Sequence, residues 1–167
     1  MIRTRTAIAL TSILLARAAQ AAEPLTVQAA SLSTAAAARV AQAALADCKK
    51  AGYVVAVAVV DRSGVPLALL RDNLAGPHTP QTATSKAWTA VSFRNSTSSL
   101  IDLSGPGKPS SGLRHVPGVV ALGGGLTISA RGVLLGAVGV SGAPGGHLDD
   151  ACGSAGIKAI QGDLELE

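Results

Sequence analysis

Apolar positions along this chain follow two periods. From Ser31 to Gly52, "SLSTAAAARVAQAALADCKKAG" is dominated by alanine, the residue of best helix propensity, and predicts a long helix. Ser31 or Ser33 can cap its start, and Lys49-Lys50 followed by Gly52 end it with favourable charge and backbone freedom. The β-branched run "YVVAVAVV" (53–60), the turn "DRSG" (61–64) and "VPLALLR" (65–71) predict a hairpin, with Pro66 marking an edge or a bulge. Thr79 followed by Pro80 opens a helical stretch, "QTATSKAWTAVSF", and "STSSLIDL" predicts a shorter helix. After the loop 104–118, three strands are expected, "VVALGG", "LTIS" and "VLLGAVGVSG", then a helix from about Leu148 to Gln161.

The expected order is α-ββ-α(α)-βββ-α. Tight turns pair the strands antiparallel, so the fold class is α+β, a five-stranded antiparallel sheet covered by helices in two or three layers. Residues 33–162 form one domain, preceded by a linker (22–32) and followed by a solvated tail (163–167).

The N-terminus modifies the charge. Arg3 and Arg5, an apolar run from Ala7 to Ala16, and Ala19-Gln20-Ala21 have the layout of a cleavable secretory signal over residues 1–21. The run is too short to span a bilayer, and the rest of the chain offers no such span. Periplasmic or secreted localisation is therefore expected. Three of the fourteen basic residues fall in this leader and none of the ten acidic ones, leaving eleven against ten, a net charge of +1. With only Lys49-Lys50 adjacent, no basic stripe remains to bind nucleic acid. An oxidising compartment permits a disulfide between Cys48 and Cys152 if their helices pack antiparallel; two buried free thiols are the alternative.

The chemistry is sparse. "GGGLTIS" (123–129) is neither a dinucleotide fingerprint nor a P-loop and is read as a sheet bend. Ser141 in "GVSGA" lacks the last glycine of a nucleophile elbow and is read as a strand-end residue. His78, His115 and His147 all sit in Gly- or Pro-containing loops, where binding residues concentrate. No local spacing defines a zinc or iron centre, so any metal site needs histidines that converge through the fold, with His78, His147 and Asp150 as the candidate set. Asp149 and Asp150 suit the first turn of a helix, leaving His147 as the residue capping does not explain. Lys86 and Arg94 can share a helix face and hold an anionic group, although a solvated basic face is the favoured account of so sparse a pattern.

"VAVVDRSGVPLALLRDN…T…KAWTAVSF" followed by "PGVVALGGGLTI…GVLLGAVGVSGAPGGHLDDACGSAGIKAI" resembles the GlcG/HbpS-like haem-binding family, to which the C-terminal domain of PduO-type proteins is also similar. The likeness runs from about Ser33 to Ile160. It implies a profilin-like fold, assembly into homo-oligomers, and haem or a related planar tetrapyrrole as cofactor, with iron or another divalent metal as a second ligand class. Residues do not carry over directly. A PduO-like domain would place a histidine near the first helix, but no histidine precedes His78 here. HbpS-like iron binding would use acidic helix motifs, but the first helix has only Asp47. The ligand candidates are therefore chosen by chemistry and loop position: His78, Thr79, His115 and His147, with Lys86 and Arg94 to hold an anionic group. Three functions follow: an exported haem-binding oligomer for storage, buffering or sensing; an enzyme that degrades haem or modifies a small metabolite; and a ligand-free accessory subunit of a periplasmic system.

Overall fold

The computed structural model describes residues 23–166. The expected signal peptide lies outside them. Helix α1 (Thr34–Lys50) starts at Ser33, whose hydroxyl accepts from the Ala36 N–H at 3.2 Å. Strands β1 (Ala56–Asp61) and β2 (Pro66–Arg71) form the hairpin, closed by Asp61 Oδ1 accepting from the Ser63 and Val65 amides. Helices α2 (Thr79–Phe93) and α3 (Thr97–Leu103) follow, then strands β3 (Gly125–Ala130) and β4 (Val133–Ser141), and helix α4 (Gly146–Leu166).

The sheet is antiparallel with order β2-β1-β4-β3, so β1 and β4 are central. Pro66 lies on edge strand β2 beside a register shift, where its missing N–H breaks no ladder. Alternation along the central strands divides the core. Val57, Val59, Val138 and Val140 face α1 and α4, together with Val40, Ala44 and Ile160. Ala56, Ala58, Val60 and Ala137 face α2, meeting Ala83, Ala87 and Ala90. With so few aromatic residues, this core achieves density by close approach of backbones. A Cβ on Gly139 would sit 2.0 Å from the Ala83 carbonyl oxygen, and one on Gly156 would sit 2.7 Å from that of Val40. Glycine at these two points lets α2 lie on the sheet and α4 lie on α1.

Helices α1 and α4 run antiparallel. Arg39 bridges Asp163 at 2.7 Å near one end, and at the other Cys48 and Cys152 are joined in a disulfide with Cα atoms 5.4 Å apart.

Two expectations are corrected. The sheet has four strands in the order α-ββ-α-α-ββ-α, because "VVALGG" is not a strand. Its Val120 N–H donates to the Thr89 hydroxyl on α2 at 3.0 Å, and Gly124 turns through φ +113°, so the segment is held against α2 instead of joining a ladder. Helix α4 also continues to Leu166 through residues read as tail, because Leu164 packs on the core, Asp163 meets Arg39, and Gln161 donates to Glu165 one turn on at 2.6 Å. No helix among the described residues is long and apolar enough to cross a membrane.

Candidate functional site

The N-terminal ends of α2 and α4 open on one cleft of about 520 Å³, within the range of small-molecule sites. His78 and His147 both line it, with Ile101 and Leu122 on the wall and the turn Gly142–Gly146 on the rim. Two of the three histidines singled out in the sequence are thus brought together from separate loops. His115 is not among the lining residues; it ends an exposed 3-10 turn (Ser111–His115).

Local structure explains His78. Thr79 is the first residue of α2, and its buried hydroxyl donates to the Gly76 carbonyl at 2.8 Å. The cap position passes to His78, whose side chain makes no capping hydrogen bond and remains exposed at the cleft. His147 lies one residue inside the start of α4 and is likewise exposed at the cleft. Both imidazoles are therefore exposed at the cleft and accessible to a ligand.

A buried ion pair lies in the cleft wall. Lys86 Nζ donates to Asp149 Oδ2 and to the Val140 carbonyl, each at 2.8 Å, with both charged side chains 4% exposed. The Ala143 N–H donates to the other Asp149 oxygen at 3.1 Å. Burial outweighs the attraction of Lys86 and the Ala143 N–H, and together with the neighbouring Asp150 charge holds the Asp149 carboxyl above its ordinary value of 3.8. Lys86 is therefore neither a solvated cation nor free to bind an anion. Arg94, expected beside it, is the exposed left-handed residue ending α2 and does not line the cleft.

The glycine triplet is built around this pair. A Cβ on Gly124 would lie 2.5 Å from the Val140 oxygen and 2.9 Å from Lys86 Nζ, and one on Gly125 would lie 2.5 Å from the Lys86 oxygen. What reads as a sheet bend in sequence is the space that admits a buried lysine. Asp150 is engaged as well, accepting from the Gly124 N–H at 2.6 Å and from the Ser98 hydroxyl. Its two oxygens join α4 to α3 and to the start of β3, and the metal set His78, His147 and Asp150 finds no support. Among the described residues, no group of three or more His, Cys, Asp or Glu is arranged to hold a metal ion.

This framework belongs to a known class. Residues 32–158 match the family described as "Haem degrading protein HbpS-like", and the chain belongs to that family. Its fold is similar to that of a double mutant of HbpS from Streptomyces reticuli, 35% identical, covering 90% of this chain and 98% of that one with a TM-score of 0.77. It is also similar to PduOC, crystallised as a heme complex, 32% identical, with 78% and 95% covered and a TM-score of 0.73. A further relative is the corrinoid adenosyltransferase PduO of Salmonella typhimurium, 38% identical over 90 residues; the match spans 53% of this chain and only 27% of PduO.

Proposed function

We infer that this protein binds haem or a closely related tetrapyrrole in the cleft between the starts of α2 and α4, with His78 and His147 as the iron-facing groups. One observation carries the reading: two imidazoles, from loops 69 positions apart, line a single cavity of ligand size. The chemistry of the wall fits the group. Exposed Ile101 and Leu122 offer apolar surface that a planar macrocycle would cover, and neutral histidine is a common axial ligand of haem iron. Bound haem would supply an iron centre whose reactivity is set by axial ligation and by the polarity of its surroundings. Membership of a haem-binding family, and the PduOC heme complex among its relatives, support the same ligand class.

The reading extends to an exported, self-associating protein that stores, buffers or senses its ligand. The signal-like first 21 residues and the Cys48–Cys152 bridge support export, since disulfides persist in oxidising compartments. Haemin titration of the purified protein tests the ligand. A Soret band saturating at one haemin per chain, weakened in His78→Ala and His147→Ala and unchanged in His115→Ala, is the expected result. No spectral change at stoichiometric haemin would remove the proposal. N-terminal sequencing of protein recovered from the periplasm or medium, with its size-exclusion mass, tests export and self-association.

A further inference from the structure

The two cleft histidines share a local device. Each lies two residues after a glycine, in Gly76-Pro77-His78 and in Gly145-Gly146-His147. A Cβ on Gly76 would stand 2.8 Å from Cε1 and 3.0 Å from Nδ1 of the His78 ring. A Cβ on Gly145 would stand at the same two distances, 2.8 and 3.0 Å, from the same atoms of His147. Each imidazole thus rests on the bare face of a glycine, in the volume that any other side chain would fill.

The backbone does not otherwise require glycine there. Neither residue is among the positive-φ glycines, unlike Gly118, Gly124 or Gly142. Nor does either added carbon have backbone within its three nearest contacts, whereas one on Gly146 would lie 2.7 Å from the Gly123 Cα. At Gly76 and Gly145 the nearest obstacle is the histidine ring alone. His115, outside the cleft, has Leu113 at the corresponding position. In His147 the Nε2 atom is the one farther from the seat, at 3.9 Å, so the seated edge is Cε1–Nδ1.

We propose that Gly76 and Gly145 are positioning residues that seat the His78 and His147 imidazoles in the orientation the cleft ligand requires. The seating itself is a property of the ligand-free chain; its consequence for binding rests on the haem reading above. A methyl group at either position leaves the fold intact, because a ring at the end of a side chain can rotate away, but it removes the seated rotamer.

The test uses Gly76→Ala and Gly145→Ala in the full chain, with Gly162→Ala, which has open space around its Cβ, as control. Without haemin, the ¹H–¹³C correlation of the histidine Cε1–H groups is recorded. Gly76→Ala should move the His78 signal and Gly145→Ala the His147 signal, leaving His115 in place and the unfolding midpoint near wild type. With haemin, each variant should bind roughly fivefold more weakly, the cost of leaving a preferred rotamer, and shift its Soret maximum toward that of the matching His→Ala variant. Unmoved histidine signals would overturn the proposal. So would displaced signals with wild-type haemin affinity and spectrum, provided that His→Ala variants lose binding. Displaced signals in the two glycine variants, together with a wild-type chain that takes up no haemin, would leave the seat standing and remove the haem reading instead.

Discussion

Lys86 on α2 and Asp149 on α4 meet at 2.8 Å in the protein interior, and this contact ties together the two helices whose starts carry His78 and His147. The relative placement of the two imidazoles thus depends on a buried charge pair as well as on the sheet beneath.

Removing one member strands the other in a low-dielectric site. Lys86→Ala should cost about 3–5 kcal/mol, read as a lowered urea midpoint at unchanged slope. The double variant Lys86→Met with Asp149→Leu, which removes both charges, should recover most of that loss. Equal destabilisation by single and double variants would show that shape matters here more than charge.

The raised Asp149 carboxyl has a pH consequence of definite sign. Between its ordinary value of 3.8 and its raised folded midpoint, the folded chain holds a proton that the unfolded chain has released. This group therefore contributes stability that is fully present below 3.8 and is lost as pH rises through the raised folded midpoint. A carboxyl ¹³C titration should place the Asp149 midpoint above 3.8, and Asp149→Asn should lose this component of the stability profile.

The Cys48–Cys152 bridge closes a loop of 104 positions. Its loss in Cys48→Ser/Cys152→Ser should cost about 4–5 kcal/mol on a chain-entropy basis. Chemical unfolding of that variant against the wild type measures it, and dithiothreitol should lower the wild-type midpoint alone.

Several of these features could be read before any coordinates. The Ser33 cap, the hairpin with Pro66 at its edge, and the two long helices rest on local rules that tertiary packing did not override. Strand number was not legible, because "VVALGG" has the composition of a strand while its hydrogen bond to Thr89 is decided by α2, 31 positions away. The sequence left open which of the three histidines converge; the fold brings His78 and His147 to one cleft because both lie at helix starts, and leaves His115 outside its lining. Lys86 was misread because its helix, mostly small and polar around "TSKAW", gives no sign that one lysine points inward. The available signal was the glycine triplet at 123–125, whose missing side chains make room for that lysine. Reading it required knowing that β3 passes α2 at this point. Asp150 looked like a helix-start charge and is instead a clasp for Ser98 and Gly124.

The location of the ligand is tested most directly by site-resolved protection. The protein is treated with diethylpyrocarbonate with and without one equivalent of haemin, and carbethoxylation of each histidine is followed by peptide mass spectrometry. All three imidazoles are exposed in the ligand-free chain, so each should react. Haemin should slow the reaction at His78 and His147 together and leave His115 unchanged. Equal rates at all three with and without haemin, or protection of His115 alone, would contradict the placement of haem between the starts of α2 and α4.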